Sequence, residues 1–339
     1  MRKDFVIGLD AGRSAIKTVV IPVDNPSESF QDISPNAVMA AIALVDDAAN
    51  GRAIVDTVTF DGDRYFVGKT AERQLGQQMQ PPGMSDDYFF GREHAMLVCG
   101  ALKRAQAKNS EINFSNCQVV VGLPVGVFAT RREEYLNTIS GALKKLDLPI
   151  SGMSLREQAQ PYGPLLAEMF DGKGGEKKTI DPSTQAWGVI EIGHYTTDTL
   201  IVQEGDILNK TFKSCQGVAV AADAIQQELG RRAMNKSHRN VTKVLETGTA
   251  MHGGDEVDAE DVRQIGVRAL VAEVQQNLLP IYNDYRDVLK GVLVAGGGAP
   301  LLQSFLKERL PKARIMENPR YAVATGFARF GLMQQLTSK

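Results

Sequence analysis

The chain carries one short plan twice. Near its start it reads "FVIGLDAGRSAIKTVVI", an apolar run, then Asp10, Gly12, Ser14 and Lys17, then a second apolar run. Far downstream, "VIEIGHYTTDTLIV" places Glu191 and Gly193 at the end of one apolar run, and Thr196, Thr197 and Asp198 open the next. Strand-length apolar runs around a glycine-containing turn predict an antiparallel hairpin. A carboxylate two positions before the glycine then sits at the carboxyl end of its strand, where ligands of open α/β sheets gather. One such turn alone is only a hairpin. Two, each heading a similar half of the chain, constrain fold and chemistry together.

A hairpin tip with glycine and small hydroxyls offers backbone N–H groups and extra donors, a nest suited to phosphate. Lys17 beside the first turn supplies a point charge. Asp10 and Glu191 are placed to hold Mg²⁺ directly or through its waters. A third element, "VLVAGGGAPLL", is a buried strand ending in Gly296, Gly297 and Gly298, with a helix after Pro300. Glycines there let a ligand approach the backbone beside a helix N-terminus. The dinucleotide fingerprint is excluded, because Leu301 stands where its third glycine should be. Two such hairpins facing each other would clamp a triphosphate with Mg²⁺ from both sides, and the glycine turn would admit a flat or charged ligand.

The rest of the pattern predicts strands at 4–10, 15–21, 39–45, 64–68, 117–124, near 150–155, and at 186–192, 198–203, 207–212 and 291–296. Helices are expected at 69–78, 89–107, 129–146, 159–170, 217–232, 237–247, 259–289, 300–310 and 320–336. Alternating strands and helices in each half mean α/β architecture with largely buried mixed sheets. The Gly-, Lys- and Asp-rich stretch 171–184 reads as a linker. A length of 339 residues suits two ordinary domains.

Other classes find little support. The net charge of −2 points to no dedicated nucleic-acid surface. The longest apolar run, Ala37 to Val45, is far short of the roughly 18 residues a membrane span needs. No secretory signal is read at the N-terminus. Cys99, Cys117 and Cys215 show neither disulfide nor metal spacing and read as small hydrophobes of a reducing cytoplasm. "VGKT" at 67–70 lacks the glycine a Walker A loop needs, since Asp63 stands there, so it reads as a turn into a helix. His94, His194, His238 and His252 show no ligand spacing, and His194 reads as a solvated turn residue. The basic cluster 230–239 has no interleaved aromatics and reads as a solvated face or subunit contact.

"IGLDAGRSAIK", "VGLP", "EIGHYTTD" and "VAGGGAPLL", in this order, resemble the actin, heat-shock-chaperone and sugar-kinase ATPase superfamily. Compact length, "VVVGLPVGVF" and "LREQAQPYGPL" (155–165) make the chain most similar to bacterial actin-like ATPases of plasmid segregation, the ParM/StbA type. The resemblance implies an actin-like fold of two domains, each with a duplicated ribonuclease-H-like core, with ATP and Mg²⁺ in the cleft between them. It puts domain I at 1–175 plus about 320–339 and domain II at 176–319. It implies that Asp10 holds Mg²⁺ through water, that Gly12, Arg13 and Ser14 form the turn on the β- and γ-phosphates, and that Lys17 stands beside it. Glu157 matches the carboxylate that orients attacking water. A second reading makes Glu157 an exposed helix-start carboxylate near an N-cap. Glu191 occupies a metal position usually filled by Asp; its longer side chain either moves the metal or reaches it more directly, which would change the hydrolysis rate or shift water positioning between Glu157 and Glu191. Gly193, Tyr195 and Thr196 match the second phosphate turn. Gly296, Gly297 and Gly298 match the turn against adenosine, and Gln227 and Glu228 match ribose or adenine contacts.

The expected function is a cytoplasmic ATPase that forms homopolymeric filaments with ATP (or GTP) and Mg²⁺. It would move plasmid DNA through a DNA-binding adaptor protein, with no direct contact to membrane or DNA of its own. The alternatives are a sugar or acid kinase of the same superfamily, with Asp198 its candidate catalytic residue, and a non-hydrolysing scaffold of the pilus-assembly type. A heat-shock-type chaperone is disfavoured, because no peptide-binding domain follows residue 339.

Overall fold

The duplication read in the hairpins extends to whole sheets. The computed structural model describes residues 3–44, 51, 53–79, 82–145 and 153–337. Contacts divide the chain into two units, Met1–Ile180 with Tyr321–Lys339, and Asp181–Arg320. In the first, β1 (Phe5–Ala11), β2 (Ala15–Pro22), β3 (Phe30–Pro35), β7 (Cys117–Leu123) and β8 (Ser154–Ala159) form a sheet of order β3-β2-β1-β7-β8. In the second, β9 (Ala186–Ile192), β10 (Thr196–Gln203), β11 (Asp206–Ile207), β12 (Lys213–Gln216), β15 (Leu289–Ala295) and β16 (Ala313–Ile315) give the order β11-β10-β9-β15-β16, with β12 also on β10. Each sheet pairs a hairpin antiparallel and then adds two strands parallel to the hairpin's first strand.

The first sheet's central strands are apolar without alternation because both faces are covered. On one face Phe5, Ile7, Leu9, Val119 and Val121 pack with helix α2 (Arg92–Lys108) and helix α3 (Val125–Lys145). On the other, Val6 and Val120 meet the last helix, α10 (Ala322–Thr337), and Val120 also meets α4 (Gly163–Met169). A small sheet of β4 (Val38–Ala40), β6 (Asp63–Val67) and β5 (Thr57–Phe60) precedes α1 (Gly68–Leu75). Arg104 on α2 binds Asp32 at 2.7 Å and Asp56 at 2.9 Å, tying β3 to the segment before β5. Burial alone would push the Asp32 carboxyl up; the Arg104 and Lys108 hydrogen bonds outweigh it and hold it below its ordinary value.

In the second unit, Ile190, Ile192, Val292 and Val294 pack with α5 (Ala219–Arg231), α6 (His238–Thr247) and α7 (Glu260–Asn277). The hairpin β13 (Thr249–His252) and β14 (Asp255–Asp258) lies between α6 and α7.

Several boundaries differ from expectation. The strand expected at 39–45 is only Val38–Ala40; residues 41–44 are unpaired and 45 lies outside the described residues. The strand expected near 150–155 is Ser154–Ala159, with 150–152 outside the described residues. The strand expected at 207–212 is β11 and β12 around a 3₁₀ turn. The helix expected at 259–289 ends at Asn277 and a short α8 (Leu279–Asp284) follows, because Pro280 cannot continue the ladder. Strands β3, β5, β13, β14 and β16 had no counterpart in the sequence reading. Among the described residues no helix is long and apolar enough to cross a membrane.

Candidate active site

Both hairpins form where the sequence predicts, the second returning two residues early at Thr196, but the cross-strand pairs at their tips differ. Ala11 pairs with Ile16, and one step back Asp10 pairs with Lys17. Ile192 pairs with Thr197, and one step back Glu191 pairs with Asp198. Cross-strand partners share a face, so Asp10 faces a cation and Glu191 faces a second carboxylate.

Asp10 is 4% exposed. Its Oδ2 accepts from Lys17 Nζ at 2.8 Å and its Oδ1 from Gln160 Nε2 at 2.9 Å. Gln160 was absent from the sequence-predicted site. It opens the 3₁₀ turn Gln160–Tyr162 immediately after β8. The missed signal was the strand end itself. β8 lies at the sheet edge, where "SLREQA" carries polar residues at little cost to a core. The strand was expected about four residues too early, and the candidate Glu157 came from the resemblance, which did not point to Gln160.

Glu157 stands elsewhere. It lies within β8, not at a helix start, so the N-cap reading is also corrected. The parallel register aligns Leu9, Val121 and Glu157 in one row. Leu9 and Val121 belong to the core under α2 and α3, and Leu155 packs against it. Strand side chains alternate, so Glu157 shares that face while Asp10 has the opposite one. The structure therefore brings Gln160, and not Glu157, to Asp10.

The first turn is anchored from behind. Arg13 donates to the carbonyls of Gly83 at 2.7 Å and Ser85 at 2.9 Å, pairs with Asp86 at 3.2 Å, and lies 4.6 Å from the Phe89 ring centroid. Its guanidinium is thus committed to the 83–89 segment, and what Arg13 offers at the tip is backbone. The Gly12 carbonyl accepts from Asn36 Nδ2 at 2.7 Å, and the Ser14 carbonyl from Asn36 N at 3.0 Å.

The second turn is closed by Gly193 N donating to Thr196 O at 2.8 Å. Its carbonyls at Gly193, His194 and Tyr195 accept from the N–H groups of Val218, Ala219 and Gly217. A Cβ on Gly217 would collide with three carbonyls of this turn, so the entry to α5 approaches as closely as backbone allows. Thr196 Oγ1 donates to Asp198 Oδ2 at 2.8 Å. The Tyr195 ring meets His194 edge-on at 4.7 Å. Burial pushes its phenol up, with Asp223 adding to the shift, which keeps it a neutral donor. Burial, with Glu273 and Asp198, pushes the nearby Cys215 thiol up to about 12, so it stays protonated.

The glycine triplet divides. Gly296 has φ +88°, and a Cβ there would collide with the Ile192 backbone. Gly298 donates to Ile192 O at 3.0 Å, and a Cβ would meet Ile192 and Val218 side chains. These two glycines seat the turn on the end of β9. Gly297 alone is exposed, with only Arg320 Nε near its would-be Cβ, at 3.5 Å. On α5, Gln227 is exposed, while Glu228 accepts from Arg232 at 2.9 Å, so its carboxylate is already engaged.

The carboxylates at the two tips, Asp10 on one and Glu191 with Asp198 on the other, are the hard oxygen donors Mg²⁺ takes. Among the described residues no three His, Cys, Asp or Glu side chains converge on one point. Each tip by itself offers carboxylate oxygens of the kind a hydrated Mg²⁺ takes one or two at a time.

Comparison with known proteins bears on the fold. The family described as the N-terminal domain of actin-like proteins matches residues 8–152, and the C-terminal domain of the archaeal actin homologue, MreB-like, matches 189–308. The chain belongs to the actin-like proteins. No curated protein matches it in sequence. Among solved structures, this actin-like chain aligns with Ta0583, an archaeal actin homologue, at TM-score 0.70 and 19% identity, over 98% of this chain and 100% of that one. A ParM from Clostridium botulinum, from a 15-stranded filament, aligns at 0.71 and 19%, over 98% and 99%. ParM from Bacillus thuringiensis with ATP aligns at 0.67 and 16%, over 99% and 100%. At these identities the shared property is the fold.

Proposed function

We infer that this actin-like protein binds and hydrolyses ATP with Mg²⁺ and assembles with its own copies into filaments. The observation that carries the reading is the repeated tip, two sheets of one strand order, each closing a hairpin one residue pair beyond a carboxylate. Support comes from the family match and from structural relatives described as a filament and as bound to ATP. In this reading residues 1–175 with 320–339 form domain I and 176–319 form domain II. The protein works in the cytoplasm, and a DNA-binding adaptor links its filaments to plasmid DNA.

Bound triphosphate and Mg²⁺ supply the leaving group and the charge neutralisation on which phosphoryl transfer depends. The chain's own part is positioning. Asp10 and Glu191 hold the hydrated ion, and Asp198 adds charge beside Glu191. Lys17, with backbone N–H groups of Gly12, Arg13 and Ser14, takes phosphate oxygens, as do Gly193, Tyr195 and Thr196. Gly297 faces the nucleoside, its neighbours Gly296 and Gly298 shaping the turn, and Gln227 and Glu228 contact ribose or base. Gln160 gives its N–H to Asp10, which fixes the amide orientation and leaves Oε1 as the acceptor that orients water.

Calorimetry with Mg-ATP and with Mg-GTP, followed by sedimentation, tests this. Binding and sedimentable polymer above a critical concentration are expected, with no stimulation by sugars or short carboxylic acids. Lack of nucleotide binding sinks the reading. Phosphorylation of a small acceptor without polymer replaces it with the kinase.

A further inference from the structure

The first phosphate turn is held by a side chain that touches no phosphate. Asn36 follows β3 directly, and its N–H and Nδ2 donate to the Ser14 and Gly12 carbonyls. The second Nδ2 hydrogen goes to the Tyr88 hydroxyl at 2.7 Å. The amide's own Oδ1 is buried with no protein partner among the described residues, so Asn36 acts here through its donors. In a planar trans peptide the C=O and N–H point in opposite directions. Drawing the Gly12 and Ser14 carbonyls toward Asn36 therefore turns the N–H groups of Arg13 and Ala15 away from it.

Tyr88 is itself fixed. It lies in the 3₁₀ turn Asp86–Phe90, its ring edge-on to Phe89 at 5.2 Å and to His94 at 5.3 Å. Arg13 clamps this segment from one end. Arg131 clamps it from the other, bonding Asp87 at 2.9 Å and lying 3.7 Å from the Phe90 ring centroid. Arg131 is also where α3 departs from helical backbone, with φ −134° and ψ 19°.

Resting on the nucleotide reading above, we propose that Asn36 and Tyr88 are positioning residues, which preset the Gly12–Ala15 peptides for the β- and γ-phosphates. Preorganised N–H donors bind without reorienting, so their loss weakens contacts to those phosphates and spares the rest of the nucleotide.

The test uses the full chain with two variants. Tyr88→Phe keeps the ring contacts and removes the hydroxyl. Asn36→Asp keeps the shape and sets a carboxylate oxygen against the Gly12 carbonyl. Calorimetry measures Mg-ATP and AMP affinities, with melting temperature alongside. The expected result is Mg-ATP binding about tenfold weaker for Tyr88→Phe and weaker still for Asn36→Asp, with AMP affinity unchanged. Equal loss for both nucleotides would mean general destabilisation and overturn the proposal, as would unchanged Mg-ATP affinity in both variants. If wild-type protein binds no Mg-ATP, the underlying reading falls and takes this one with it.

Discussion

His94 is fully buried, yet it is a histidine. Its Nε2 lies 3.0 Å from the Tyr135 hydroxyl, Tyr88, Phe89 and Tyr135 surround the ring, and Nδ1 has no protein partner among the described residues. Burial, with a smaller contribution from Arg13, pushes its pKa down to about 3. The sign of the consequence follows. Below the ordinary value of 6.5, an unfolded His94 takes a proton and the folded one does not. Stability is therefore lost as pH falls from 6.5 toward 3, by up to about 1.4 kcal/mol per pH unit. Urea midpoints between pH 7 and 4.5 should fall steeply in wild type and less steeply in His94→Phe. That variant should also be less stable at pH 7, because the Tyr135 hydroxyl loses its partner. Equal slopes would show that His94 takes its proton without unfolding.

At the scale of elements, legibility followed burial. The hairpins were readable because their central strands are long apolar runs that are buried, broken by a short turn that contains glycine. β8 was misplaced because an edge strand carries Arg156 and Glu157 freely, so nothing in the pattern marked Gln160 as the residue that reaches Asp10. The short strands β5, β13, β14 and β16 lack runs long enough to stand out from turns. The glycine triplet was legible as a turn, but its division of labour was not, since nothing in three identical letters says which two lie against Ile192. That division is testable. Gly296→Ala forces a side chain into φ +88° and into the Ile192 backbone, and should cost about 1–3 kcal/mol in calorimetric melting. Gly297→Ala meets only Arg320 Nε and should stay within about 0.5 kcal/mol of wild type, with any effect confined to nucleotide affinity. Similar melting temperatures for the two would assign the triplet to the ligand alone.

At the scale of the molecule, two units of one strand order carry different cross-strand pairs at their tips. The first sets Asp10 against Lys17, while the second sets Glu191 against Asp198. A duplicated scaffold has thus been given unequal chemistry, and Gln160 falls on the side of Asp10. Under the proposed function, that placement predicts how turnover and assembly should respond to its loss. Water positioning acts in the transition state, so removing it lowers turnover and leaves ground-state binding nearly intact. Gln160→Ala should bind Mg-ATP about as tightly as wild type and polymerise. It should release phosphate at least about tenfold more slowly, a loss of about 1.4 kcal/mol in transition-state stabilisation. Its filaments should outlive those of wild type, because the hydrolysis that would weaken them is slowed. Glu157→Ala, on the opposite face of the sheet, should behave as wild type in both measurements. Phosphate release followed beside polymer turbidity decides between the two residues. Slow release and persistent polymer in Glu157→Ala, with normal behaviour in Gln160→Ala, would show that the resemblance chose the water-positioning residue correctly and that the contact between Gln160 and Asp10 is structural only.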